Sequence, residues 1–222
     1  MKDNDFVFVI VGAGGTGSLL ARDLPKLLIG SNHRMIIVDG DVVEQKNMVR
    51  QSYQRHDIGQ FKSVALASKI NTFYGDICEA IHFYITKQEL VYKLEESYKG
   101  YIPVLVGCVD NDATRKLLEN TFNALDECIY LDSANEKYEG NVYVCAKAFG
   151  EKIGKLRSEV YELSEDRHPA EKSCQEMAAV NVQFLMTNAK MAVCLLEHLS
   201  LIVTGDLKEG VSIVKRFEQV HF

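Results

Sequence analysis

Gly12-Ala13-Gly14-Gly15-Thr16-Gly17 follows the apolar run Phe6 to Val11 without a break, a pattern that reads as strand, tight turn and helix. Gly12 takes backbone angles closed to other residues, Gly14 lets main chain approach a phosphate, and Gly17 lets the next helix pack close to the strand. The free amides and positive dipole end of that helix then face anionic oxygens. Glycine turns after strands also serve packing alone, so the loop needs its context. Asp39 closes the second apolar run, Met35 to Val38, about 20 residues beyond the loop, where a dinucleotide-binding unit sets an acidic side chain against ribose hydroxyls. A nicotinamide-dependent (NAD) oxidoreductase is one reading of that pair. A turn built on Asp39 and Asp41 is another.

The residues beyond Asp39 are not typical of a dehydrogenase. Asp39-Gly40-Asp41, Asn47-Met48-Val49-Arg50-Gln51, Gly59-Gln60-Phe61-Lys62 and Cys108-Val109-Asp110-Asn111 together resemble the ThiF/MoeB/HesA family, bacterial relatives of ubiquitin-activating enzymes. The resemblance is close from Phe6 to Arg115 and weak beyond. It implies an ATP- and Mg2+-dependent adenylyltransferase that activates a carboxylate, the C-terminal glycine of a small ubiquitin-like or sulfur-carrier protein, and releases pyrophosphate. Such a reaction brings two anions together, so it needs fixed cations over the phosphates and a magnesium ion. By resemblance, Asp39 holds the ribose, the loop with Gly12, Gly14, Gly15 and Gly17 holds the phosphates, and Asp41 and Asn47 line the nucleotide pocket. Arg50, Gln51 and Lys62 meet the phosphate charge, and Asp110 holds the magnesium. Taken singly, Arg50 and Lys62 also read as solvated surface charges, and Asp110 as a helix N-cap. Arg115, in the helix after Asp110, either orients that carboxylate or makes a surface ion pair. An ATP-binding scaffold without turnover is the alternative from a different class.

Two departures from the family pattern stand out. The chain starts a few residues before its first strand, so the family's N-terminal arginine segment is expected to be missing or replaced. The paired CxxC zinc motifs are absent too, because the six cysteines, Cys78, Cys108, Cys128, Cys145, Cys174 and Cys194, are widely spread. Cys108 reads as a buried strand thiol. Cys174 opens a late helix about where thiol-using relatives keep a reactive cysteine, and a helix N-terminus favours the thiolate. Ser173 or Ser164 capping that helix is the competing reading.

The chain has 222 residues, 47% of them hydrophobic and 25% charged, enough for one large folded domain over 1–222. Its net charge of -6 leaves no basic field for nucleic acid. No secretory signal is written at the start, and no apolar stretch approaches about 18 residues, so a cytoplasmic protein without membrane partners is expected. The resemblance adds a homodimer.

The first 150 residues alternate strand and helix. Strands are expected at Phe6 to Val11, Met35 to Val38, Glu79 to Ile85, Val104 to Val109, Cys128 to Asp132 and Asn141 to Phe149. Helices are expected at Gly17 to Leu28 with a break near Pro25, Phe61 to Phe73, Glu89 to Ser97 and Asp112 to Leu125. Gly150 to Lys172 reads as a charged surface crossover, Cys174 to Leu199 as a long helix and Val211 to Val220 as an edge strand. The expected fold is α/β, a Rossmann-like mostly parallel sheet with helices on both faces and antiparallel strands toward the C-terminal end. Gly12, Asp39 and Asp110 would share its carboxyl edge.

Overall fold

The computed structural model describes residues 4–148, 151–166 and 185–222. The first half builds β1 (Phe6–Val11), α1 (Gly15–Asp23), β2 (Arg34–Val38), α2 (Lys62–Tyr74), β3 (Cys78–Ile81), α3 (Lys87–Ser97), β4 (Ile102–Gly107) and α4 (Asp112–Ala124). Next come β5 (Cys128–Asn135), β6 (Gly140–Ala148), β7 (Glu151–Ile153), α5 (Leu185–Thr204), β8 (Gly210–Val214) and β9 (Gln219–His221). The sheet runs β3-β2-β1-β4-β5-β6-β8-β9, with β7 also paired to β6. Strands β3 to β5 along that order are parallel, and β6 to β9 are antiparallel additions.

All six residues of β1 are buried, as a strand covered on both faces requires. Phe6, Phe8 and Ile10 pack in one layer with Leu20 of α1, Leu66 of α2 and Leu195 of α5, while Val7, Val9 and Val11 pack in the other with Leu90 of α3 and Leu118 and Phe122 of α4. The parallel register sets Val11 opposite Val38 on one side and Gly107 on the other. The strand ends therefore stop level. The chain leaves β1 toward β2 and later returns to β4 on β1's other side, so a crevice opens between the loops after β1 and β4.

Several boundaries differ from those expected of the sequence. The third strand stops at Ile81 rather than Ile85, because its partner β2 ends at Val38, the residue paired with Ile81. The last expected strand is two, β8 and β9, folded back at Lys215 to Glu218, where the amide of Lys215 donates to the Glu218 carbonyl at 2.7 Å. The crossover contains strand β7 and a short 3-10 turn, Arg157–Glu159. Helix α1 starts at Gly15, two residues before its expected start, and ends at Asp23, giving way to a 3-10 turn over Leu24–Leu27 that carries Pro25 at its start. Ser173, Cys174 and the first residues of the expected late helix lie outside the described residues.

Helix α5, from Leu185 to Thr204, is long and apolar enough to cross a membrane by length and composition alone, with a mean hydropathy of 1.2. That corrects the expectation of no such stretch. The core takes one side of this helix, where Met191, Leu195, Leu199 and Ile202 are buried, while Leu185, Met186 and Val193 are exposed.

Candidate functional site

The loop after β1 is built by contact rather than by flexibility. Gly12 has φ +92°, and a Cβ there would lie 2.6 Å from the Cys108 carbonyl oxygen. A Cβ on Gly17 would meet the Gly12 oxygen at 1.9 Å, and one on Gly15 would run into the Asn188 side chain of α5. Gly14 alone in this loop has nothing within 4 Å of where its Cβ would be. It caps α1 without a side-chain hydrogen bond, so the opening at the helix N-terminus lies in front of Gly14.

Asp39, immediately after β2, binds this loop. Its Oδ2 accepts from the Ala13 amide at 2.6 Å and its Oδ1 from the Asp41 amide at 2.8 Å. Burial pushes the Asp39 carboxyl above the usual carboxylate range, with Lys62 opposing that shift. Asp41 goes the other way. Burial raises it too, but the Lys62 ion pair and hydrogen bonds from Lys62 and Tyr84 outweigh burial and hold it below the usual range. Lys62 Nζ lies 2.7 Å from Asp41 Oδ2, and the lysine side chain is only 8% exposed. Lys62 is thus a placed cation and not a solvated surface charge.

Arg50, Gln51 and Asn47 lie on the connection between β2 and α2. A 3-10 turn, Gln45–Val49, is closed by Asn47, whose buried Oδ1 accepts from the Glu44 amide at 2.7 Å. The main-chain amides of Arg50 and Gln51 both donate to the Asn47 carbonyl, at 3.3 and 3.0 Å. Arg50 is partly exposed, whereas Gln51 is buried, with an Oε1 that no described residue partners. Tyr53 fastens this connection to the glycine loop by donating to the Ala13 carbonyl at 2.7 Å, and the Ser52 amide donates to Ser18 Oγ of α1 at 3.0 Å. Asp57, buried at the base, accepts from the Gln54 amide and pairs with Lys69 of α2.

Across the crevice, Asp110 is exposed just beyond β4. It does not cap α4. Asn111 does, its Oδ1 accepting from the Thr114 amide at 2.9 Å. Arg115 neither reaches Asp110 nor sits on the surface. It is buried, with Nη1 2.9 Å from Asp112, Nε 3.3 Å from Asp132, and Nη2 donating to the Val109 carbonyl at 2.6 Å. Asp132, within β5, is shared with Arg157, whose guanidinium lies 4.7 Å from the Tyr143 ring centroid. Arg115 therefore positions the Asp110 turn through its backbone. Cys108 lies just past β4 rather than within it, and burial followed by the Asp132 charge pushes its thiol up to about 12.

The structure brings Gly14, Asp39, Asp41 and Lys62 to one side of the crevice and Asp110 to the other. The Asp110 charge is among those acting on the phenol of Tyr84, which also donates to Asp41. Among the described residues no group of three or more His, Cys, Asp or Glu side chains is arranged to hold a metal. Tyr53, Tyr84, Asp132 and Arg157 hold the loops around the crevice, directly or through Arg115, and the sequence alone does not single them out. Asp132 carries a signal, since it ends an apolar run as Asp39 does. The tyrosines and Arg157 carry none, because their partners are far away in the chain.

Solved structures of low sequence identity share this fold. The microcin C7 biosynthetic enzyme MccB in complex with N-formylated MccA superposes with a TM-score of 0.70 at 15% identity, over 98% of this chain and 64% of that one. Escherichia coli MccB with ATP gives 0.68 at 13%, over 100% and 64%. Ubiquitin-like modifier-activating enzyme 5 of Bombyx mori is 30% identical over 53% of this chain, and adenylyltransferase and sulfurtransferase uba4 of Aspergillus clavatus is 33% identical over 51%. The chain spans only 31% and 22% of those two proteins. The ThiF family matches residues 4–220, nearly the whole chain, so that the glycine loop, the connection carrying Arg50 and the Asp110 turn all fall inside it: the chain belongs to the ThiF family.

Proposed function

We propose that this chain adenylylates a carboxylate with ATP, and that the carboxylate is the C-terminal glycine of a small ubiquitin-like or sulfur-carrier protein. One carboxylate oxygen attacks the α-phosphorus, the bond from that phosphorus to the β-phosphate oxygen breaks, and acyl-adenylate and pyrophosphate result. The observation that carries this reading is the buried Lys62, held by Asp41 at the same sheet edge as the open helix N-terminus at Gly14.

In this reading the amides at Gly14 and Gly15 meet phosphate oxygens and Lys62 turns from Asp41 to phosphate. Arg50 adds a second cation. The buried Gln51 Oε1 and Asn47 line the nucleotide side, and Asp39 faces the ribose while fixing the loop through Ala13. Asp110, an exposed carboxylate, fits magnesium, which takes one or two protein carboxylates together with substrate phosphates. Bound there, the ion would neutralise phosphate charge. Catalysis is then positioning and charge stabilisation, with no general base required. The relatives named as activating enzymes and adenylyltransferases, and the ATP complex of MccB, support the choice of ATP over NAD. A cytoplasmic homodimer completes the proposal.

The test is ATP–pyrophosphate exchange in the presence of a carrier ending in glycine. Asp110→Ala and Arg50→Ala are expected to abolish exchange while leaving thermal unfolding unchanged. Exchange at the parent rate in both variants would overturn the reading, and NADH stabilisation without any response to ATP and magnesium would replace it with the oxidoreductase.

A further inference from the structure

Tyr84 lies between β3 and α3, in the stretch where the expected strand fails to continue. Having left the end of β3, the chain passes over the turn at Asp39 to Asp41. A Cβ on Gly40 would meet the Tyr84 ring at 3.1 Å, so the glycine between the two aspartates is where the ring sits. The phenol donates to Asp41 Oδ1 at 2.5 Å, while Lys62 holds Oδ2 of the same carboxylate. One carboxylate is thus shared between a cation and a neutral donor.

We propose that Tyr84 is a positioning residue of the phosphate site, holding Asp41 so that Lys62 can pass from that carboxylate to a nucleotide phosphate. This rests on the ATP reading. When Lys62 leaves, Asp41 would face a phosphate-rich site with its charge uncompensated, and the phenol is the group that stays. A neutral donor also draws charge from the carboxylate and weakens its grip on the lysine, because hydrogen bonds to an ionised acceptor are the strong ones. Burial, followed by the hydrogen bond to Asp41 and the charges of Asp41, Asp39 and Asp110, raises the phenol well above its ordinary range, so it remains a donor at any physiological pH.

The experiment is calorimetric titration of the full chain with ATP and magnesium, using Tyr84→Phe, Asp41→Asn and the double variant. Phenylalanine keeps the ring over Gly40. Tyr84→Phe is expected to weaken ATP binding by about tenfold in the parent, because the phenol's hydrogen bond to Asp41 is worth more once Lys62 has left that carboxylate. In the Asp41→Asn background the same change should matter less than about twofold, because the coupling runs through that carboxylate. An equal loss in both backgrounds makes Tyr84 a packing residue and overturns the proposal, as does no loss in the parent. A parent chain that binds no ATP overturns the nucleotide reading itself, an outcome distinct from a parent that binds while Tyr84→Phe changes nothing.

Discussion

At Lys62 a cation is held at the sheet edge, where the proposed reaction would bring phosphate. Its amine is kept near the crevice by Asp41 and its stem is covered by the fold. Lys62→Met should abolish nucleotide binding, measured by titration with ATP and magnesium, while the neutral stem keeps its packing. The pH sign at Asp41 follows from its lowered pKa. The ionised form is favoured by folding, so its contribution is present above the unfolded carboxylate range near about 3.9 and is lost as pH falls through the folded value. Tyr53 acts at the same scale, with one hydrogen bond tying the Arg50 connection to the loop. Tyr53→Phe should cost about 1 kcal/mol in chemical denaturation and raise the KM for ATP more than it lowers kcat.

Helix α1 comes this close to the turn after β1 only because Gly17 has no side chain. Gly17→Ala drives a methyl group into the Gly12 carbonyl, which neither main chain can evade, so a loss of about 3 kcal/mol or more, or failure to fold, is expected in denaturant titrations. Gly14→Ala sends its methyl group into open space. It should leave stability within about 1 kcal/mol while weakening ATP binding, because that space is where phosphate would sit. The contrast separates the packing and binding uses of one loop. Helix α4 offers a third check. Asn111→Ala removes the cap and should cost about 1 kcal/mol, measured by denaturation, whereas Asp110→Ala should cost almost nothing.

Across the whole molecule, two buried histidines set an acid limit. His33 accepts from the Phe6 amide through Nδ1 at 3.2 Å, and His198 shares the Ser212 hydroxyl at 2.8 Å. Burial lowers both pKa values, so between the folded values and the unfolded value near about 6.5 the unfolded chain binds more protons. Stability should be full above that value and fall as pH drops below it. Urea midpoints at pH 7.5 and 5.5 measure the slope, and His33→Gln should flatten it. The β1 amide that His33 serves lies at the sheet end opposite the crevice, so this acid loss should appear in stability before it appears in ATP affinity at fixed folded fraction.

The alternating apolar runs and glycine punctuation determine the strand and helix order, because strands buried on both faces need continuous apolar sequence and each run leaves that mark locally. The same is true of the loop from Gly12 to Gly17, Asp39, Arg50, Lys62 and Asp110, whose order along the chain carries the family. Only the tertiary structure decided what those residues touch. Strand β3 ends where its partner β2 runs out, Arg115 turns inward to Asp132 instead of outward to Asp110, and Tyr84 reaches Asp41. Each of these depends on pairing between residues distant in sequence, where register and burial choose the partner and no local pattern records it.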